Sequence, residues 1–274
     1  MKRREFVVGV SAALLGPRIG AAGRRPPRLD RVGVQLYTVR SRLARDFEGT
    51  LAAVAAIGYS EVEFAGYFDH APRDVRALLD RHGLVAPAAH ISTITGDAWR
   101  ATLDAAATIG HRWLVVPWIP EERRTLDGYK RTAEAFNRAG ADAHGAGLRF
   151  AFHNHDFEFA PLGDTTGYDL LLAETDPALV EMELDLYWIT KAGYDPLAYF
   201  ARWPGRFPIV HVKDSAGPPD HSQVEVGRGT IPFARIFAQT AQAGIHHWFV
   251  EHDQPADPLD SIRTSYRYLK RLEW

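Results

Sequence analysis

Residues 149–161 read RFAFHNHDFEFAP. An apolar, strand-like run from Arg149 to Phe152 passes without a break into His153, Asn154, His155, Asp156 and Glu158. A strand end has no structural need for so many ionisable groups, so the stretch raises the question of what they hold. The same pattern recurs along the chain. Short apolar runs, many of them β-branched, end in polar residues at RVGVQLYT from Arg31, EVEFAG from Glu61, VAPAAH from Val85 and WLVVPW from Trp113. After RFAFHNH come EMELDLY from Glu181, PIVHVKD from Pro208 and HWFVEHD from His247, which makes eight strand patterns.

Longer stretches with apolar residues at helical spacing lie between these runs. DFEGTLAAVAAIG, DVRALLDRHG and DAWRATLDAAATIG stop at Gly58, Gly83 and Gly110. GYKRTAEAFNRAGADAHGAG follows, IPFARIFAQTAQAG stops at Gly244, and DPLDSIRTSYRYLKRL closes the chain. A glycine just past a helical pattern is the usual C-terminal stop signal, because it takes the left-handed backbone that ends a helix. Strands alternating with helices predict parallel βαβ units. At 274 residues, eight such units predict a closed (β/α)8 TIM barrel. The alternative is an open doubly wound sheet, but no G-x-G-x-x-G follows the first strand, so its dinucleotide-binding form lacks the phosphate loop.

Composition bounds the partners. With 46% hydrophobic and 24% charged residues, the chain reads as an ordinary globular protein with a core of normal size. A formal charge of −2 argues against nucleic acid or anionic lipid as a general partner. The chain has no cysteine, which excludes disulfides, thiolate zinc sites and a cysteine nucleophile. Any metal must therefore be held by oxygen and imidazole. Residues 1–23, MKRREFVVGVSAALLGPRIGAAG, run from a charged start through an apolar stretch to small residues, the order of a signal segment. Its Arg3-Arg4 pair resembles a twin-arginine signal, and the apolar run is too short to span a bilayer as a mature helix. The expectation is export, to the periplasm or beyond, with a single barrel domain over residues 28–274.

In a (β/α)8 barrel the chemistry lies at the C-terminal ends of the strands. Those ends carry Gln35 and Tyr37, Glu63, His90, Trp118, His153 with His155 and Glu158, Asp185, His211 with Lys213, and Glu251. The set reads as a divalent metal site with mixed oxygen and nitrogen ligands, and the expected ligands are Glu158, Asp185, His211 and Glu251. Such a set suits manganese, magnesium, cobalt or zinc, with no thiolate to force zinc. Asp185 is the most telling, because an aspartate amid apolar residues must be paired or ligating. A metal beside a hydroxy-ketone acidifies the carbon between the two oxygens, and a neighbouring carboxylate or imidazole can move the proton. Glu158, Glu251, His153 and His155 are the candidates for that step. Gln35, Tyr37, Glu63, His90, Trp118, Lys213 and Arg228 are expected around the substrate, with Trp188 and Tyr187 adding to an apolar wall for a sugar face. The sequence leaves open which of His153, His155 and Glu158 meets the metal.

Taken in order, GVQLYTVR, FHNHDFEF, LDLYW, VHVKD, VGRGTIPF and FVEHD resemble the xylose isomerase-like sugar isomerase/epimerase family, and the resemblance covers nearly all of the chain after the signal segment. It implies a (β/α)8 barrel and one divalent metal, often manganese, held by Glu158, Asp185, His211 and Glu251. It also implies a small sugar or keto-sugar as partner, with a homo-oligomer left open. The activity implied first is isomerisation or epimerisation by proton abstraction next to a carbonyl. The alternatives are a lyase or hydratase acting on an inosose or 3-keto-glycoside, and a periplasmic sugar-binding barrel without chemistry. One departure bears on this choice. The epimerase branch places a glutamate at the fifth strand end, where this chain has His153-Asn154-His155 with Glu158 further along, a pattern that resembles the dehydratase and uncharacterised branches more closely.

Overall fold

The computed structural model describes residues 26–274, so the signal segment expected at residues 1–23 lies outside the described residues. Eight parallel strands close into one barrel: β1 Gly33–Gln35, β2 Glu61–Phe64, β3 Val85–His90, β4 Trp113–Val116, β5 Arg149–His153, β6 Val180–Asp185, β7 Ile209–Val212 and β8 His247–Val250. The ring closes where β1 pairs with β8, with Gly33 opposite Phe249 and Val34 opposite Val250. Each strand stands at one of the eight runs read from the sequence. The first is shorter than its pattern, because the Gln35 side chain accepts the Tyr37 N–H at 3.0 Å and turns Leu36–Val39 into a 3-10 helix.

Side chains alternate across each strand, so one parity faces the helices and the other fills the barrel. Val62, Phe64, Leu114, Phe150, Phe152, Met182, Leu184, Val210, Val212 and Val250 belong to the main core shared with the helices. Ala88, Trp113, Val115, Ala151, Ile209 and Phe249, on the other parity, form a separate apolar cluster inside the barrel. The same inward parity continues upward to Gln35, Glu63, His90, His153, Glu183, Asp185 and His211. Register levels these residues: Gln35 lies opposite Glu63, His153 opposite Glu183, and Asp185 opposite His211. The functional layer is thus the period-two continuation of a packed plug.

The helices Phe47–Ile57 and Pro72–His82 end where expected, with Gly58 at φ 118° and Gly83 at φ 64°, values other residues rarely adopt. The IPFARIFAQTAQAG stretch is two short helices, Phe233–Phe237 and Thr240–Ala243, where one was expected. Four α-helices beyond those expected appear among the described residues: Arg40–Leu43, Gly167–Glu174, Leu186–Lys191 and Pro196–Arg202, the last three started by side-chain caps from Thr166, Asp185 and Asp195. Among the described residues, no helix is long and apolar enough to cross a membrane.

Candidate metal centre

Asp185 is the last residue of β6 and also the N-cap of the short helix after it. Its Oδ1 accepts the N–H groups of Tyr187 and Trp188, both at 2.9 Å. Its own N–H donates to Asn154 Oδ1 at 3.0 Å. These bonds aim Oδ2 into the barrel, where it makes no hydrogen bond. There it lies 3.1 Å from Lys213 Nζ and 3.9 Å from His211 Nδ1. Glu251, just past β8, accepts from His211 Nδ1 at 2.8 Å and pairs with Lys213 Nζ at 2.8 Å. Lys213 also reaches Asp253 at 3.0 Å and is itself buried. Burial opposes its ammonium, but Asp185, Glu251 and Asp253 outweigh that and hold its pKa well above the usual value. Burial likewise opposes the Glu251 carboxylate, and Lys213 and His211 hold it well below the carboxylate range.

A second group lies one step deeper and shares His211. The Nε2 of His211 is 2.7 Å from Glu63 Oε2 and 3.2 Å from Glu183 Oε1. His90 Nε2 meets Glu183 Oε2 at 2.8 Å, and His153 Nδ1 lies 3.4 Å from the same oxygen. Gln35 donates to Glu63 at 2.9 Å. Burial first, then repulsion from Glu183, pushes the Glu63 carboxyl up to about 7. Burial and then the neighbouring His211 lower His153 to about 3, so its imidazole is neutral. Each group has ligand atoms within 4.8 Å of one another: Asp185, His211 and Glu251 in the outer one, and His90, His153, Glu183 and His211 in the inner one. Glu63 Oε1, His153 Nδ1, Asp185 Oδ2 and Glu183 Oε1 are all buried without a hydrogen-bond partner. Converging unpaired donors and acceptors of this kind suit a bound divalent cation.

Of the expected ligands, Asp185, His211 and Glu251 stand together and Glu158 does not join them. The turn Phe157–Phe159 carries it; its Oε2 accepts the backbone N–H of His155 at 2.7 Å, while Oε1 is buried without a hydrogen-bond partner. Burial pushes the Glu158 acid up to about 8. Gln35, Glu63, His90 and Lys213 are inside the site. Tyr37 is exposed beneath the Arg40 guanidinium, 3.8 Å from its ring centre. Trp118 is exposed at the mouth, in edge contact with His155 and Phe157. Arg228 lies on an exposed loop and pairs with Glu225 at 3.0 Å.

Glu183 is the residue that the sequence reading missed. The signal was present, since in EMELDLY it stands two positions before Asp185 and therefore on the same face of the strand.

A closed barrel with carboxylates and imidazoles gathered at its C-terminal mouth defines the class of (β/α)8 proteins with a side-chain cluster there that could hold a metal ion. Residues 51–272 match the profile of the xylose isomerase-like TIM barrel, and the chain belongs to that family. It is 23% identical to the inosose dehydratase of Geobacillus kaustophilus, over 81% of this chain and 86% of that one. The inosose dehydratase of Lacticaseibacillus casei is 24% identical over 81% of this chain and 88% of its own. The solved structure of a sugar phosphate isomerase/epimerase from Parabacteroides distasonis superposes with a TM-score of 0.77 at 26% identity, covering 92% of this chain and 96% of that one.

Proposed function

We propose that the protein is a metal-dependent enzyme that removes a proton next to the carbonyl of a keto-sugar or keto-polyol and then expels a leaving group from the neighbouring carbon. The observation that carries this reading is the placement of His155. Its ring stands half-buried at the barrel mouth, 5.1 Å from the His153 ring, and its buried Nδ1 has no hydrogen-bond partner. It is a free imidazole nitrogen beside the candidate metal centre, and burial first, then His153, holds its pKa well below the ordinary histidine value, so the ring is neutral and placed to accept a proton.

A divalent ion bound at His211, with manganese expected first and magnesium, cobalt or zinc as alternatives, would polarise the substrate carbonyl. The chain's own groups supply the rest. Lys213 offers a fixed positive charge, held by three carboxylates, to an oxygen on which charge develops. Trp118, Phe157 and Trp188 surround His155 and offer apolar surface to the C–H face of a ring. Glu158 holds the backbone of His155 and so fixes the loop that carries it.

Two observations support elimination. The inosose dehydratases match the chain along most of its length. Glu158 also belongs to neither carboxylate–imidazole group, and one of its oxygens is engaged by the His155 backbone, which favours a histidine over a second glutamate as the proton-transfer group. The second reading, isomerisation or epimerisation, is supported by the likeness to the Parabacteroides distasonis protein. Proton NMR in heavy water, with the magnesium-loaded protein and a panel of inososes, 3-keto-glycosides and keto-sugars, separates the two. Loss of water or of an aglycone is the expected result. Deuterium beside the carbonyl with a new isomer would favour the second reading. Metal-loaded protein that exchanges no proton in any of them would leave a sugar-binding barrel.

The N-terminal segment supports export of the folded protein. A reporter fusion carrying Arg3→Lys and Arg4→Lys should stay in the cytoplasm, and undiminished export would rule out the twin-arginine reading.

A further inference from the structure

A cleft of about 310 Å³ opens at the barrel mouth beside the end of β8, lined by Gln223, His252, Asp253 and Gln254. Its walls are held in place before any ligand arrives. Gln223 exchanges two hydrogen bonds with Asp253: its Nε2 donates to Oδ2 at 2.5 Å, and its Oε1 accepts the Asp253 N–H at 2.8 Å. The His252 N–H donates to the Thr38 hydroxyl at 3.0 Å, and His252 Nδ1 accepts the Gln254 N–H at 3.3 Å. The Asp253 side chain keeps 26% of its surface open, and Gln254 is exposed. A cleft at the small end of the range for ligand sites, walled by fixed polar groups, suits a small hydroxylated molecule.

Two contacts tie the cleft to its surroundings. On one side, Asp253 Oδ1 lies 3.0 Å from Lys213 Nζ, the ammonium that also meets Glu251 at 2.8 Å. The cleft therefore adjoins the candidate metal centre across a single side chain. On the other side, Arg40 donates to the Asp253 carbonyl oxygen at 2.9 Å while its guanidinium lies 3.8 Å from the centre of the Tyr37 ring. Tyr37 is 40% exposed. An aromatic ring beside a carboxylate and an amide offers what a sugar ring presents on its two sides, an apolar C–H face and a rim of hydroxyls. A single-ring substrate at the metal centre would leave both the cleft and Tyr37 in water.

We propose that this cleft is a second sugar subsite, which receives the hydroxylated aglycone of a keto-glycoside, so that the substrate carries two rings. This rests on the elimination reading above and specifies its leaving group as an alcohol of the second ring, where an inosose would release water. The step balances. The proton next to the carbonyl passes to His155, its electron pair forms the C=C bond, the glycosidic C–O bond breaks, and the departing oxygen takes a proton from water. Lys213, between the cleft and Glu251, offers its charge to that oxygen. Contacts to the second ring orient the first, so their binding energy supports the chemical step.

Tryptophan fluorescence of the magnesium-loaded full chain, titrated with methyl glucosides and with the matching glucose disaccharides, reads the subsite without turnover. A disaccharide is expected to bind at least about 10-fold more tightly than its methyl counterpart, as one or two added hydrogen bonds allow. Gln254→Ala and Tyr37→Ala should each bring that ratio towards 1. Equal binding, no binding of either class, or a ratio that neither variant changes would overturn the subsite. The same pairs supplied as 3-keto derivatives separate it from the proposed function. Release of methanol and of glucose at equal kcat/KM would keep the elimination and overturn the subsite. Tighter binding of the disaccharide with no aglycone released would keep the subsite and overturn the elimination.

Discussion

Lys213 Nζ lies 2.8 Å from Glu251 Oε2 with both side chains buried, and the same ammonium reaches Asp185 at 3.1 Å. The pair is adjacent to the candidate metal centre, so it sets the charge that any ligand there encounters. Removing one partner of a buried pair leaves the other charged without compensation, which typically costs about 3–5 kcal/mol. Lys213→Met should therefore lower the unfolding free energy of the metal-free protein by about that amount in urea titrations. A change below about 1 kcal/mol, the value of an exposed pair, would mean that the lysine does not balance these carboxylates.

Glu158 stands five residues past His153 in sequence, yet its bonded oxygen serves the His155 backbone. A glutamine carbonyl can accept the same N–H, so Glu158→Gln should retain metal within about threefold of wild type, a difference of less than 1 kcal/mol. Glu158→Ala leaves that N–H without its partner and should destabilise the fold by about 1–3 kcal/mol. Loss of metal in the glutamine variant, measured by elemental analysis after dialysis, would restore Glu158 to the ligand set.

These two sites show how far sequence reasoning reaches. Strand ends were legible because apolar runs stop at polar residues, and helix ends because Gly58, Gly83, Gly110 and Gly244 take left-handed backbone. That Asp185, His211 and Glu251 meet in one place was legible from the barrel rule alone. The bond from Glu158 to the His155 backbone was not legible, because distance past a strand end says nothing about direction once a 3-10 turn intervenes. Glu183 was readable from period-two parity, since it shares the inward face of its strand with Asp185. The helices Leu186–Lys191 and Pro196–Arg202 are too short to show a helical period, and their start is written in the capping aspartates Asp185 and Asp195.

The VGRGT segment owes its shape to one buried carboxylate. Asp214 accepts the N–H groups of Ser215, Gly227, Gly229 and Ile231 at 2.9, 2.9, 3.0 and 3.2 Å. Asp214→Asn replaces one accepting oxygen with a donor and should cost about 2–3 kcal/mol. Hydrogen exchange at Gly227 and Gly229 should accelerate more than at the barrel strands. Gly229→Ala should act similarly, because an added Cβ falls against the Asp214 carboxylate and the Ser215 carbonyl. Unchanged exchange in both variants would remove Asp214 as the organiser of this loop.

His111 provides a pH test away from the metal centre. Its Nδ1 lies 2.6 Å from the Ala86 carbonyl oxygen, which can only accept, so Nδ1 carries the proton. The other nitrogen, Nε2, then accepts from the Tyr67 hydroxyl at 2.9 Å. Burial, with a smaller contribution from Arg76, lowers its pKa to about 4, although the bond to Ala86 opposes the shift. The unfolded chain has an ordinary histidine near 6.5 and so binds more protons than the folded protein between those values. Stability from this group is therefore complete above about pH 6.5 and falls as the pH drops towards 4, by on the order of 3 kcal/mol. In urea titrations across that window, His111→Gln should show a shallower decline than wild type by a comparable margin. Parallel declines in the two proteins would mean that His111 is protonated in the folded state.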